Sequence, residues 1–156
     1  MNLNQLVSEP SVVCVTDIAS KKRALEHLAE LLARQAGSQH TVDIFQQLTE
    51  REKLGSTALG HGVALPHART ALCDKPVGAF IRIRHGIDFD SPDGKPVDLL
   101  FGLLVPQEST DTHLKILATL ASMFSNQDFC DDLRGATSDT ELLHKLRNHQ
   151  LASKPL

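Results

Sequence analysis

His67 sits directly after Pro66 and two residues before Arg69, at the end of the run Arg-Glu-Lys-Leu-Gly-Ser-Thr-Ala-Leu-Gly-His-Gly-Val-Ala-Leu-Pro-His-Ala-Arg that begins at Arg51. Pro66 fixes its own φ and biases Leu65 toward extended backbone, so the imidazole should leave the end of a strand on a stiff, exposed turn. With a pKa near ~6.5, a histidine is mostly neutral at neutral pH and keeps one ring nitrogen lone pair. Neutral imidazole is a competent nucleophile toward phosphorus. A phosphorylated side chain carries roughly two negative charges and needs cationic or N–H partners placed beforehand. Arg51 and Arg69 are candidates, because a guanidinium can bind two phosphate oxygens at once. The chemistry these residues suit is phosphoryl relay, although His67 alone could equally be an ordinary polar loop residue.

His113 is the second histidine of interest. It should lie in the first turn of a helix that starts at Thr110 or Asp111 and runs to about Ser125. A helix N-terminus favours an anion through its free N–H groups and its dipole. If the preceding strand ends beside His67, His113 can hydrogen-bond a phosphoryl group or orient the His67 ring. The residues alone leave it open between that role and a surface position of a first turn.

The elements that must position these groups follow from periodicity. Val12 to Val15 reads as a strand. Ser20 should N-cap a helix from Lys21 to Ala36, ended by Gly37, with Leu25, Leu28, Ala29 and Leu32 on its buried face. A second helix starts after Thr41 and reaches about Lys53, with Val42, Phe45, Leu48 and Thr49 inward. Gly55, Gly60 and Gly62 punctuate two short strands, Thr57 to Leu59 and Val63 to Leu65. Val77 to Ile83 is a strand, and Ile87 to Lys95 a turn. The nearly continuous apolar run Val97 to Val105 predicts a central strand buried on both faces. Leu114, Leu117, Ala121 and Phe124 should form the main stripe of the next helix, widened by Ile116 and Leu120. A short helix over Gln127 to Leu133 and a last one to about Arg147, opened by a Ser138/Glu141 capping box, complete the pattern, with a frayed tail over Ala152 to Leu156. The fold class is α/β: an α/β sandwich with a central mixed sheet and helices on both faces.

Composition narrows the function classes. The chain has 156 residues, 41% hydrophobic and 22% charged, a length and balance that suit one globular domain over 1–156. A net charge of -3 offers no basic field for nucleic acid or anionic membrane, and the absence of Trp and Tyr removes base-stacking platforms. Met1 to Pro10 shows no signal-peptide pattern, and no run approaches the ~20 apolar residues of a membrane span. Cys14, Cys73 and Cys130 are odd in number and form no CxxC pair, so reduced thiols in a cytoplasmic protein are expected.

Other chemistries fit poorly. His61 and His67 are not an i, i+4 zinc pair and no HExxH occurs, so no metal is expected. Asp88, Asp90 and Asp93 resemble a calcium loop, but that register puts Pro92 and Leu99 at ligand positions. Gly60 and Gly62 alone do not make a nucleotide fingerprint, and no GxSxG is present.

Arg51-Glu52, Ser56-Thr57, Gly60, Gly62 and Pro66-His67 together resemble the active-site region of phosphotransferase-system enzyme IIA proteins of the fructose, mannitol and nitrogen-regulatory type. Val97 through Pro106 followed by His113-Leu114 resembles the nitrogen-regulatory branch in particular. So does the stretch from Cys130 through Leu133-Arg134 and Ser138-Asp139 to Glu141-Leu142. The resemblance spans nearly the whole chain. It implies that His67 is phosphorylated through Nε2, that His113 contacts the phosphoryl group, and that Arg51 supports it. Ser56 and Thr57 become further phosphate-supporting candidates. Arg69 keeps a positive charge where the family often has Lys. The resemblance also implies an HPr-type phosphocarrier as donor and no cofactor or metal. Downstream it implies either regulated target proteins, such as potassium-transport or sensor proteins, or onward transfer to a IIB domain. Alongside these stands a non-catalytic binding module. The sequence does not fix the oligomeric state.

Overall fold

The computed structural model describes residues 3–153. Two 3-10 turns, Leu3–Gln5 and Glu9–Ser11, lead into β1 (Val12–Val15). There follow α1 (Lys21–Ala36), α2 (Thr41–Lys53), β2 (Ala58–Gly60), β3 (Val63–Ala64), β4 (His67–Thr70), β5 (Val77–Ile87), β6 (Val97–Pro106), α3 (Thr110–Phe124), α4 (Gln127–Arg134) and α5 (Asp139–Ser153). Ser20 caps α1 by accepting from the Arg23 N–H, and Gly37 ends it in the left-handed region at φ 67°.

The sheet is mixed, in the order β1-β5-β6-β3-β2, with β4 also on β6. β6 is its centre. β5 pairs antiparallel along one side, while β3 and β4 pair parallel, one after the other, along the second side. The apolar run of β6 splits by alternation. Leu100 and Leu104 face α1 and α2 with Leu28, Leu32, Ile44 and Leu48. Leu99, Phe101, Leu103 and Val105 face α3, α4 and α5 with Ile116, Leu120, Phe129, Leu133 and Leu142. Gly102 lies opposite α1, where an added Cβ would come within 3.0 Å of Leu28, so its missing side chain sets how closely α1 approaches. The α/β sandwich with helices on both faces is therefore as expected.

Several local expectations need correction. His67 does not ride an exposed turn: it opens β4, in register with Leu103, and is half-buried. Pro66 has no N–H, but its carbonyl accepts from the Leu103 N–H at 2.9 Å, so the ladder carries on past it. β5 continues to Ile87 beyond the expected Ile83, because a register shift after Arg82 allows Ile87 to pair Val97. On α2 the inner face holds Ile44, Leu48 and Glu52, whereas Val42 is 68% exposed. On α3 the buried line is Ile116, Leu120, Met123 and Phe124, and Leu114 is 61% exposed. The helix has two adjacent apolar stripes there, and the sheet takes the one through Ile116 and Leu120. Helix α5 runs to Ser153, past the expected Arg147, and 154–156 of the expected frayed tail lie outside the described residues.

The β2–β3 turn is pinned from two directions. Gly60, His61 and Gly62 all have positive φ, at 92°, 56° and 83°. Asp93 accepts from the His61 N–H at 2.9 Å, and Arg134 donates to the His61 carbonyl at 2.9 Å while pairing with Asp98 at 2.8 Å. A Cβ at Gly62 would stand 2.5 Å from the Arg134 guanidinium, in a backbone region that side chains avoid. Gly62→Ala should therefore lower unfolding free energy by about 1–3 kcal/mol in urea denaturation.

Candidate phosphoryl-transfer site

Strand alternation aims the site. Val63 and Leu65 are buried on the face covered by α3 to α5, and His67 and Arg69 continue that line as it leaves the core. Ala68 points the other way, into the core beneath α1 and α2. At this end of the sheet β6 finishes at Pro106 and α3 begins at Thr110, so the first turn of α3 overhangs β4. The His67 and His113 rings meet edge to face with centroids 5.2 Å apart and planes at 65°. Arg69 ties the two elements together by donating to Thr110 Oγ1 at 3.0 Å.

The tautomer of His67 follows from its partner. Nδ1 lies 2.7 Å from the Leu65 carbonyl oxygen, which can only accept, so Nδ1 carries the proton. Nε2 is left with its lone pair. The Nε2 of His113 is buried and has no hydrogen-bond partner, an arrangement that costs about 1–3 kcal/mol unless a ligand supplies one. Burial is the first cause that lowers the pKa of His67, with Arg51 adding to it, against the opposing pull of the Leu65 bond and Glu52. Burial also leads the lowering at His113, followed by His67, Arg69 and Arg51. Both rings are thus held neutral in a positive field, which disfavours a proton and favours an anion.

Arg51, in the last turn of α2, donates to the Gly55 carbonyl at 2.9 Å and reaches both histidines through its charge. Ser56 and Thr57 have their hydroxyls committed elsewhere. Ser56 donates to the Phe89 carbonyl at 2.9 Å and accepts from the Ala58 N–H. Thr57 is buried, and both its hydroxyl and its N–H are taken by Glu52. His67, His113, Arg51 and Arg69 therefore form one cluster, with Ser56 and Thr57 in the bracing behind it. Three contributors were not singled out from the sequence. The Leu65 carbonyl has no side-chain signature, and Thr110 read only as a cap. Glu52 did have a signal: it continues the inward line of Ile44 and Leu48 on α2. Among the described residues no group of three or more His, Cys, Asp or Glu side chains is arranged to hold a metal. None of the described helices is long and apolar enough to cross a membrane.

The family model described as "Phosphoenolpyruvate-dependent sugar phosphotransferase system, EIIA 2" matches residues 5–149. The chain belongs to this family. A nitrogen regulatory protein of Pseudomonas aeruginosa is 45% identical over 127 residues, which is 81% of this chain and 82% of that protein. The crystal structure of nitrogen regulatory protein IIA-Ntr from Neisseria meningitidis superposes with a TM-score of 0.86 at 42% identity, covering 92% of this chain and 98% of that one. A fructose-specific EIIA component of Haloferax volcanii is 40% identical over 121 residues, 77% of this chain and 78% of that protein. This EIIA chain is accordingly a phosphotransferase-system component of the nitrogen-regulatory type.

The lowered histidine pKa values have a signed consequence. Between the folded value and about 6.5, the unfolded chain binds a proton at His67 that the folded chain lacks. Stability should therefore rise with pH through that window, and the contribution of His67 should level off below it, where both states are protonated. Imidazole NMR titration should place the His67 and His113 midpoints below 6.5, and His67→Gln should flatten the acid limb of the stability curve.

Proposed function

We propose that this EIIA protein is a phosphohistidine carrier whose phosphorylation state regulates partner proteins in the cytoplasm, with 1–156 acting as one domain. The observation that supports it best is the 2.7 Å Nδ1 contact to the Leu65 carbonyl, which leaves His67 Nε2 nucleophilic beside an unpartnered His113 nitrogen. The donor is a phosphohistidine on an HPr-type protein. Its N–P bond breaks as a new one forms at His67 Nε2, and the donor imidazole departs with the bonding electron pair. His113, protonated at Nε2, donates to a phosphoryl oxygen. The charges of Arg51 and Arg69 offset those of the dianion, and Ser56 and Thr57 brace the segment after α2 whose Gly55 carbonyl holds Arg51. No cofactor or metal takes part.

Two exposed apolar residues, Leu54 at 85% and Leu114 at 61%, lie next in chain to Lys53 of α2 and to His113. Such groups suit a macromolecular donor or target better than a small metabolite. Placing about two negative charges among them would change partner affinity through repulsion and desolvation. Potassium-transport or sensor proteins are the class of target that the resemblance to the nitrogen-regulatory branch implies. A second reading, onward transfer to a sugar-type IIB domain, draws on the fructose-specific relative.

Intact-mass analysis after incubation with phosphoenolpyruvate, enzyme I and an HPr-type carrier tests the proposal. One acid-labile phosphate is expected on the wild-type chain and none on His67→Ala. No phosphate on the wild type, with donors that label a control EIIA, would leave a binding module. Loss of label to an added IIB domain would favour the sugar reading. His113→Ala should slow single-turnover phosphorylation by about 10²-fold without abolishing it. The His113 pKa should move upward once His67 carries phosphate, readable by imidazole NMR.

A further inference from the structure

Among the described residues, Glu52 is the one buried acidic residue, with a side-chain exposure of 4%. It stands beside Arg51 in sequence but turns inward from α2. There it accepts from the Thr57 N–H with both oxygens at 3.2 Å and from the Thr57 hydroxyl, and it pairs with Lys21 at 3.1 Å. Lys21 also bonds Asp90 at 3.2 Å and lies 4.6 Å above the Phe89 ring. One carboxylate thus holds together the start of α1, the end of α2, the β5–β6 connection and the segment at Thr57.

The chain of bonds continues to the reactive ring. The Thr57 carbonyl accepts from the Leu65 N–H at 3.1 Å, and the Leu65 carbonyl accepts from His67 Nδ1 at 2.7 Å. Strand alternation turns the polar groups of Leu65 away from β6, which holds Ala64 and Pro66 on either side, and toward Thr57. On that edge Leu65 is held by Thr57, and Thr57 by Glu52. We propose that Glu52 is a positioning residue for phosphoryl transfer: through Thr57 and Leu65 it fixes the tautomer and the aim of His67. Its charge also opposes that of Arg51 at the ring. A buried carboxylate with three hydrogen bonds and an ammonium partner is costly to assemble, and apolar packing would stabilise α2 at least as well. What apolar packing cannot do is hold both polar groups of Thr57.

The inference rests on the carrier reading, and its test separates the two. Glu52→Gln keeps the shape but turns an amide N–H₂ toward Lys21 or Thr57. In ¹⁵N imidazole NMR of the full chain, the wild type should show a single His67 tautomer, protonated at Nδ1. Glu52→Gln, still folded by its amide spectrum, should show a mixture, and its single-turnover phosphorylation should fall about tenfold, in line with the sensitivity of transfer to small misalignment. If Glu52→Gln does not fold, Thr57→Val, which removes only the hydroxyl, is read in the same way. An unchanged tautomer together with an unchanged rate in a folded variant would overturn the positioning role. A wild-type chain that accepts no phosphate would overturn the carrier reading, and the tautomer comparison would then decide the role of Glu52 by itself.

Discussion

The structure turns on the way β6 serves two strands along one side. Val63 and Ala64 of β3 pair with Leu99 and Leu100, and His67 to Thr70 of β4 pair with Leu103 to Pro106. Between them Leu65 and Pro66 step along the same side without a full ladder. A proline there removes one N–H and leaves the direction of the strand intact. The Leu65 carbonyl lies on the other edge, where Thr57 gives its N–H to Glu52, so it stays open to His67 Nδ1 and selects the His67 tautomer. An ordinary residue at 66 would have the Phe101 carbonyl opposite its N–H, so the proline gives up one ladder bond in return for stiffness.

Everything else at the site depends on that alignment. β6 ends where β4 ends, so α3 must start beside Arg69, and His113 comes over His67 because it lies one turn into that helix. Burial and Arg51 then act in the same direction on both rings, with Arg69 adding at His113, and hold them neutral. A neutral nucleophile in a positive, half-buried field is poorly suited to hold a proton and well suited to hold a dianion.

Much of this was legible in the sequence. The helices and long strands carried clear periodicity and capping: Ser20 and Gly37 bound α1 at both ends, and the apolar run of β6 announced a central strand. Arg51, His67, Arg69 and His113 do converge. β4 was not legible. Its four residues include a histidine and an arginine, and its identity as a strand comes from the partner that β6 provides rather than from propensity. On α3 only Leu114 was misplaced, for a related reason. Leu114 and Ile116 are equally apolar, and only the position of the sheet chooses between their stripes. The brace at Glu52 was visible as a charge on the inner line of α2, but its partners, Thr57 and Lys21, come from segments whose meeting no local pattern encodes.

A phosphohistidine carrier, the proposed role, must release what it accepts, and the polar groups here suit a moderate grip. Arg51 and Arg69 already have acceptors, the Gly55 carbonyl and Thr110 Oγ1. Each bond takes one of the five N–H donors of its guanidinium and limits how far that group can turn toward a phosphoryl group while keeping it. The His113 nitrogen is the exception, since it is buried with no partner to give up. The balance is one unpartnered nitrogen against two tethered guanidinium groups. Under the relay reading it gives a phosphoimidazole that is oriented and partly neutralised while its N–P bond stays reactive toward the next acceptor. A site built with two free guanidinium clamps would bind the same group more tightly and pass it on more slowly.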